Sequence, residues 1–479
     1  TDVEDLFVET IDMKNPERYL YNGDYRKMDI CKEVIKVKGE EDHIEKVLST
    51  LHGPIISRAL AKSAKYIALS SKSLQPSKSL DGLWKINCAQ NWTEFSQGVS
   101  DISATQLNFI YSDIDNNIGL YISGRVPIRK EGKGDFPVDG SSDRFEWHDE
   151  ISHSDMPSVF NPRKKYIIST NNKITNKKYP HYLGNSFMNG YRAKRIEEMI
   201  VNAGKIDINT CKDMQQDLKS VQAEIVVNGM VRGLKSSDPK IQIVIDLLEN
   251  WDFVLSKDSS AAAAYQVFVY NLCRYVIEPK LGKELTDLYM GQGFHVHLVP
   301  THELLGHTLS SVVRMFKNKD SKWISSNRIA IEIIEKSLLR SYEILCKSLG
   351  EKFDNWKWGD LHTSSFEHSL SVKSPLDKIF NISGFRLGGD SDTVFQSAYN
   401  PNAPYKATSW CAVNRYIMTV GKWSDSIMIS VPGQSGVLGS MHYDDMVNGW
   451  LSGEYIPMLW EKEEIEKKSK HCILLKPEI

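Results

Sequence analysis

The sequence predicts an α+β protein in which strand-rich segments at both ends of the chain enclose a mainly helical middle. Residues 1–185 carry short β-branched and aromatic runs separated by turn residues, and residues 376–479 do the same. Residues 190–375 instead carry apolar residues at helical spacing. Strands at both ends favour a layered fold whose sheets take strands from distant parts of the chain.

Two predicted hairpin turns support the strand assignments in residues 1–185. Asn22-Gly23 lies between two aromatic runs, and this dipeptide is typical of a tight hairpin. Asp115-Asn116-Asn117 separates the apolar runs 109–111 and 118–121 in the same way. The second turn is rich in Asp, like a calcium loop, but its glycine comes one place too late for an EF-hand. A hairpin tip is therefore the better interpretation.

Two amphipathic helices are predicted in the middle segment. The first begins at Asp238-Pro239, an N-cap followed by proline at the first helical position. Its apolar stripe consists of Ile241, Val244, Ile245, Leu248 and Trp251. The second ends at Gly350, and its stripe consists of Ile331, Ile334, Leu338, Tyr342, Leu345 and Leu349. Both stripes are interpreted as core-facing packing without chemistry.

Composition limits the classes of function. The 479 residues can bury a large core, and we predict that they form one domain despite exceeding a usual domain length. The 59 Lys and Arg residues nearly balance 61 Asp and Glu residues, so no global field favours nucleic acid or an anionic membrane. The apolar runs are too short to span a bilayer.

The seven cysteines are scattered and lack CxxC spacing, which argues against a disulfide framework or a zinc site and mildly against export. The chain begins within a strand-like pattern, residues 6–11, and nothing there resembles a signal peptide. We therefore expect a processed or fragmentary chain, and its compartment stays open.

The segment 166–172 carries the most informative side chains. Its β-rich run predicts a strand that delivers the amides of Asn171 and Asn172, and a basic helix start follows at Tyr191-Arg192. A neutral amide at a strand end can donate to developing negative charge. The alternative, that both asparagines simply form a turn, is ordinary chemistry for this residue type. Arg192 near a helix start is electrostatically unfavourable, so a specific acceptor for it is expected.

A histidine cluster offers a metal-based alternative. The run 302–307, His-Glu-Leu-Leu-Gly-His, resembles the zincin helix, but its second histidine, His307, comes one residue late. The zinc motif needs histidines at i and i+4, where this chain has Gly306. His295 and His297 alternate on a predicted strand and could join His302, Glu303 and His307 around zinc. A zinc-dependent hydrolase is therefore kept as an alternative.

Taken in order, several segments resemble the penicillin acylase family of N-terminal-nucleophile hydrolases, which includes acyl-homoserine lactone acylases. Each segment is a weak signal, but their common order covers nearly the whole chain. The segments are 2–9, 51–56, 91–95, 108–115, Asn171 with 191–196, Trp358-Gly359-Asp360-Leu361-His362, Gly389-Asp390-Ser391-Asp392-Thr393, 432–436 and 442–445.

The resemblance implies a four-layer αββα sandwich with a large, mostly helical insertion. It also implies hydrolysis of an N-acyl amide, of the β-lactam or acyl-homoserine lactone type, through an acyl-enzyme on an N-terminal Ser, Cys or Thr. Thr1 could in principle be such a nucleophile. However, it matches an interior position of the family, so the nucleophile is expected upstream of this sequence. A companion α chain from the same precursor is the expected partner. A non-catalytic relative is a further alternative.

The resemblance also assigns roles to individual residues. Asn171 matches the family's oxyanion-hole amide, and Arg192 matches the arginine that orients it. Leu107 matches a residue that lines the acyl pocket, although a plain core leucine is equally compatible with the sequence. A periplasmic or extracellular location is implied, and the scattered cysteines leave a cytoplasmic one open.

The resemblance further implies a structural calcium ion and no organic cofactor. Asp2 and Asp5 match its carboxylate ligands, while Glu4 and Gly134 match positions that contribute backbone oxygens. Such hard oxygen ligands suit Ca²⁺. Leu183 stands where one more acidic ligand is expected, which weakens the calcium prediction.

Overall fold

The computed structural model describes residues 2–57, 65–104, 106–293, 305–318, 321–400 and 403–477. The chain divides into two compact units, Thr1–Phe187 and Met188–Ile479. Strands dominate the first unit, and helices carry the largest apolar core of the second. The predicted mixture of helices and sheets is confirmed. Among the described residues, no helix is both long and apolar enough to cross a membrane.

In the described part of the first unit there are two α-helices, α1 (Ser79–Cys88) and α2 (Trp92–Asp101). Its strands are β1 (Glu4–Glu9), β2 (Arg18–Tyr21), β3 (Asp24–Lys27), β4 (Asp29–Ile35), β5 (His43–Thr50), β6 (Gly53–Pro54), β7 (Tyr66–Ser71), β8 (Asn108–Ser112), β9 (Ile118–Ile122), β10 (Pro127–Arg129), β11 (Val138–Asp139), β12 (Trp147–Glu150) and β13 (Ser158–Phe160). The pairing orders are β11-β1-β7, β2-β3, β4-β5-β6, β10-β12 and β13-β9-β8.

Strand β1 buries one face that is partly charged. It pairs in parallel with β11 and antiparallel with β7, and its alternate residues Asp5, Phe7 and Glu9 are buried. Buried carboxylates need partners. Thr50 Oγ1 donates to Glu9 Oε1 at 2.6 Å, and His52 Nδ1 lies 2.9 Å from the same oxygen. Asp5 has a different partner, which is described below.

Both predicted hairpins are confirmed. Asn22 and Gly23 have φ values of 48° and 89°, the two left-handed residues that a tight turn between β2 and β3 requires. The turn between β8 and β9 contains Asn116 at φ 64°. There the Asp113 carboxylate accepts the backbone N–H of Asn117 at 2.9 Å, so the Asp-rich sequence closes a hairpin.

Within its described residues, the second unit contains eleven α-helices and seven strands. The helices are α3 (Tyr191–Ala203), α4 (Ile208–Gln215), α5 (Val221–Val226), α6 (Pro239–Glu249), α7 (Ser260–Tyr289), α8 (Leu305–Lys317), α9 (Asn327–Leu349), α10 (Trp358–Leu361), α11 (Leu376–Phe380), α12 (Val447–Ser452) and α13 (Lys462–Lys468). The strands are β14 (Thr363–Phe366), β15 (Ile382–Arg386), β16 (Ser397–Tyr399), β17 (Ala407–Cys411), β18 (Asn414–Ile417), β19 (Ile427–Ser430) and β20 (Ile456–Pro457).

Helix α7 forms the centre of the largest core. All of residues 261–269 in its first half are buried, as expected of a helix that is covered on every face. It packs against α6, α8 and α9. A break in helical geometry at Gly282 (φ 73°, ψ 169°) divides α7 into two segments. This core holds the start of α3 and the loop 389–393 against rigid neighbours, since Gln266 of α7 hydrogen-bonds Asp390.

The two predicted stripes lie on α6 and α9. Asp238 caps α6 by accepting the N–H of Lys240 at 2.9 Å, and every residue of the first stripe is buried. On α9, which ends before Gly350 (φ 92°), Leu338 and Leu345 are buried as predicted. Ile331 is 44% exposed, so the core does not cover the first residue of the second stripe.

Candidate active-site residues

Asn171 lies on a bend and not at the end of a regular strand. Residues 166–169 are all described, and they form no assigned strand, so the strand prediction for this segment is wrong. β-Branched residues favour a strand only where a neighbouring strand offers pairing. Asn171 has φ 62° and is exposed. Asn is one of the few residue types that adopt this left-handed conformation readily.

The neighbouring asparagine closes the local turn. The buried Thr170 donates to Asn172 Oδ1 from both its backbone N–H, at 3.2 Å, and its hydroxyl, at 2.9 Å. The turn chemistry that the sequence left open for both asparagines is therefore carried out by Asn172.

Leu107 directly precedes β8, and the structure links this strand to the segment that carries Asn171. Asn108 Nδ2 donates to Ser169 Oγ at 2.8 Å, two residues before Asn171. The Leu107 side chain is 48% exposed, so it is not a plain core leucine. The backbone N–H of Leu107 donates to Ser123 Oγ at 3.0 Å, and this hydrogen bond fixes the backbone of Leu107. An apolar side chain is thus held at the surface of the first unit.

Arg192 is the second residue of α3, and this helix begins directly after the left-handed Gly190 (φ 83°). Burial lowers the pKa of Arg192, whereas the negative charges of Asp392 and Asp390 raise it. A cation at a helix N-terminus is unfavourable, and the sequence therefore predicted a specific acceptor. Two buried carboxylates of the second unit supply the opposing charge.

The acidic pair lies in the loop 389–393. Asp390 Oδ1 accepts the backbone N–H groups of Asp392, at 2.7 Å, and Thr393, at 3.0 Å. Gln266 Nε2 donates to Asp390 Oδ2 at 2.8 Å, and Asn189 Nδ2 donates to Asp392 Oδ1 at 2.8 Å. Neutral donors therefore hold both carboxylates in place.

The charge of this cluster depends on pH. Burial raises the pKa of Asp390 to about 7, and the negative charge of Asp392 adds to the shift. Burial also raises the pKa of Asp392, against the opposing effects of Asn189 and Arg192. The Asp390 carboxyl is therefore expected to be partly protonated near neutral pH.

Sequence reasoning did not identify Asn189, Asp390 or Asp392 as functional candidates. The run Gly389-Asp390-Ser391-Asp392-Thr393 contributed only to the resemblance, since acidic residues among Gly, Ser and Thr are typical of an exposed loop. The adjoining cavity measures about 10 Å³ and is lined in part by Gln222, Gln266 and Tyr399. That is roughly the space of one water, which is too small for a substrate.

The four residues predicted to bind calcium lie together in the first unit, around Arg129. Arg129 Nε donates to Asp5 Oδ2 at 2.7 Å, and its Nη2 donates to the Glu4 carbonyl at 3.1 Å. The Asp2 carboxylate lies 3.3 Å from Arg129 Nη2. At Gly134 (φ 72°) a Cβ would come 2.6 Å from Asp2 Oδ2, so a larger residue does not fit there.

This arrangement does not fit a calcium ion. One oxygen each of Asp2, Glu4 and Asp5 already faces a guanidinium nitrogen of Arg129. Leu183 contributes its carbonyl to the N–H of Asp2 at 2.8 Å, while its side chain is buried in an apolar cluster. Within the described ranges, no group of three or more His, Cys, Asp or Glu residues could hold a metal ion. Calcium binding by this chain stays a prediction.

Most of the histidine cluster lies outside the described residues, namely His295, His297, His302 and Glu303. His307 lies on α8, and its buried Nε2 has no hydrogen-bond partner in the part of the chain that the structure describes. Burial and the charge of Arg314 lower the pKa of His307. Gly306 has a packing role, because a Cβ there would lie 2.1 Å from Asp392 Oδ2.

Comparison with known proteins agrees with the fold and the segment order. The family described as penicillin amidase matches residues 1–467. Acyl-homoserine lactone acylase QuiP of Pseudomonas fluorescens (strain Pf-5) is 26% identical over 97% of this chain and 58% of its own length. Penicillin acylase 2 proenzyme of Pseudomonas sp. (strain SE83) is 25% identical, with the same coverage. The chain thus spans less than two thirds of these relatives.

A solved structure shows the same fold. Thermostable penicillin G acylase from Alcaligenes faecalis aligns with a TM-score of 0.72 at 18% sequence identity, covering 100% of this chain and 87% of that one. Together with the family match over residues 1–467, this establishes that the chain belongs to the penicillin amidase family.

Proposed function

We propose that the complete protein is an acylase that hydrolyses the amide bond between an acyl group and an amine. The match of residues 1–467 to the penicillin amidase family carries this proposal. The names of the relatives indicate two substrate classes, penicillins and acyl-homoserine lactones. The exposed amide of Asn171, next to a second asparagine that closes the turn, gives local support.

In the proposed reaction, an N-terminal Ser, Cys or Thr attacks the substrate carbonyl, with its own α-amine as base. The resulting acyl-enzyme is then hydrolysed by water. Negative charge develops on the carbonyl oxygen in both steps, and Asn171 is proposed as one donor to that oxygen. Removing such a donor typically costs about 3 kcal/mol of transition-state stabilisation.

Two more residues receive roles in the proposal. The resemblance gives Arg192 the task of orienting the Asn171 amide, since a guanidinium can hold the amide oxygen so that the NH₂ group is presented to the substrate. Leu107, exposed directly before β8, would contact the apolar part of the acyl group.

The proposal extends to architecture and partners. We infer a four-layer αββα sandwich with a helical insertion, completed by an α chain from the same precursor. The word proenzyme in the name of one relative supports processing of a precursor. A periplasmic or extracellular location is proposed from the resemblance alone.

The decisive experiment replaces Asn171 in the complete precursor. Asn171→Gly keeps the left-handed backbone accessible, whereas Asn171→Ala also strains it, and both variants remove the amide. We expect kcat to fall about 100-fold or more in both, with precursor cleavage unchanged by mass spectrometry. Asn172→Ala is the matched control. It should lower the stability of the protein, because Asn172 closes the turn, and should lower kcat far less than the Asn171 variants do. Near-normal kcat in both Asn171 variants would remove the oxyanion assignment.

The first residue of the natural catalytic chain tests the wider proposal. N-terminal sequencing should find Ser, Cys or Thr there. Any other residue would support a non-catalytic relative and exclude the proposed nucleophile.

A further inference from the structure

We propose that Arg129 takes the place of a divalent cation in the first unit, so that its guanidinium joins β1 to β10 and the fold of this unit does not depend on calcium. This inference is independent of the proposed function. The resemblance assigns oxygens of Asp2, Glu4 and Asp5 to calcium, but in this chain these residues contact Arg129.

The Arg129 side chain makes three contacts with the start of β1. Its Nε donates to Asp5 Oδ2 at 2.7 Å, its Nη2 donates to the Glu4 carbonyl at 3.1 Å, and Nη2 lies 3.3 Å from Asp2 Oδ1. Two carboxylates and one carbonyl thus converge on one positive group. This is the kind of oxygen set that would otherwise suit a hard cation.

The ion pair between Arg129 and Asp5 is needed because both side chains are buried. The side chains of Arg129 and Asp5 are 5% and 4% exposed. Trp147 Nε1 also donates to Asp5 Oδ2, the oxygen that Arg129 contacts. A buried carboxylate without a partner is strongly destabilising. The guanidinium therefore supplies the positive charge that Asp5 needs.

The surroundings of Arg129 do not favour a second cation. Ca²⁺ requires six to eight oxygens at about 2.3–2.6 Å, and here three candidate oxygens face guanidinium nitrogens. A Cβ at Gly134 would lie 2.9 Å from Arg129 Nη2, so the backbone closes on the guanidinium. Leu183, whose side chain is buried with Val3, adds no charge. A metal ion bound to these oxygens would also be repelled by Arg129.

The test compares thermal unfolding of the full chain in chelator and in millimolar CaCl₂. We expect the Tm of the wild type to agree within about 1 °C in the two buffers, because no site is filled by calcium. Arg129→Met should lower Tm in chelator by about 8 °C or more, because it leaves buried charge unpaired. Calcium should raise the Tm of this variant, because the oxygens are then available.

Arg125→Met is the matched control. Arg125 pairs with Glu150 on the surface, with Nε 2.5 Å from Oε2, and its side chain is 46% exposed. Exposed ion pairs contribute little, so this variant should shift Tm by less than about 3 °C and should not respond to calcium. An Arg129→Met variant that keeps the wild-type Tm in chelator, or loses stability without recovery in calcium, would overturn the proposal.

Calorimetric titration of the wild type with CaCl₂ gives a second readout that needs no destabilised variant. We expect the wild type and Asp2→Asn to give the same heat on titration with CaCl₂, because no calcium ion binds at Asp2. A stoichiometric calcium site that disappears in Asp2→Asn would overturn the proposal, because the metal would then bind despite Arg129.

Discussion

Asn189 Nδ2 donates a 2.8 Å hydrogen bond to Asp392 Oδ1, and Asn189 Oδ1 accepts the backbone N–H of Tyr191 at 3.2 Å. One side chain therefore connects the buried acidic loop to the start of the helix that carries Arg192. The same Nδ2 also donates to Ser310 Oγ at 3.1 Å, on α8. Asn189 thus fixes the first turn of α3 from two directions.

Asn189→Ala should lower both stability and catalysis. Loss of the amide leaves a buried carboxylate with one donor fewer, which costs about 1–3 kcal/mol of unfolding free energy by urea denaturation. If Arg192 is a positioning residue, kcat should fall more than KM rises, because the altered contact acts in the transition state. The exposed Asn209→Ala on α4 is the control, with stability within about 0.5 kcal/mol of the wild type. A variant with unchanged stability and kcat would show that this connection is dispensable.

The Asp390 carboxyl should make stability depend on pH. Its pKa is raised from 3.8 to about 7 in the folded protein, so between these values the folded state holds a proton that the unfolded state has released. The stability that this bound proton contributes is therefore fully present below about pH 4. It is lost as pH rises towards 7, by at most about 1.4 kcal/mol of unfolding free energy per pH unit.

The measurement is the unfolding free energy of the wild type and of Asp390→Asn between about pH 5 and pH 8. The difference between the two curves isolates this carboxyl from all other groups. The wild type should lose stability relative to Asp390→Asn as pH rises, and parallel curves would contradict a raised pKa.

Gly306→Ala should destabilise the second unit. Its Cβ would lie 2.1 Å from Asp392 Oδ2, and the neighbours of that carboxylate are fixed. Such overpacking typically costs about 1–3 kcal/mol. Gly436→Ala is a suitable control, because nothing lies within 4 Å of its added Cβ. Equal thermal stability of the two variants would contradict the close packing of Gly306.

Leu107→Ala tests the proposed acyl contact. Because the side chain is 48% exposed, its removal should change stability by less than about 1 kcal/mol. If it contacts the acyl group, kcat/KM for the longest apolar acyl chains should fall about 10-fold, and short-chain substrates should change less. Ile110→Ala, 55% exposed on β8, serves as the control. An equal loss across all chain lengths would argue against a pocket role for Leu107.

Sequence patterns correctly predicted the turns and helix caps that are formed by residues close together in the chain. The turn at Asn22-Gly23 and the cap at Asp238 each depend on residues within a few positions, and both are confirmed. The segment 166–169 failed as a strand because pairing, which propensity does not specify, is absent there.

The remaining features depend on residues that are distant in the chain. Asp5 and Arg129 are 124 positions apart, and Gln266 and Asp390 are also 124 apart. No spacing rule connects such pairs, so the sequence suggested an acidic loop and a set of calcium ligands without their guanidinium and amide partners. The matched order of family segments located Asn171 and Arg192, while the chemistry around Arg192 required the structure.

The pairing of β1 has a consequence for the order of folding. Both neighbours of this strand come later in the sequence, β7 at Tyr66–Ser71 and β11 at Val138–Asp139, and its arginine contact comes from β10. During synthesis, β1 must wait for more than a hundred further residues before both of these neighbours exist. Such long-range pairing slows folding and leaves a strand edge exposed in the meantime. The sheet around β1 therefore depends on pairing across most of the length of the first unit.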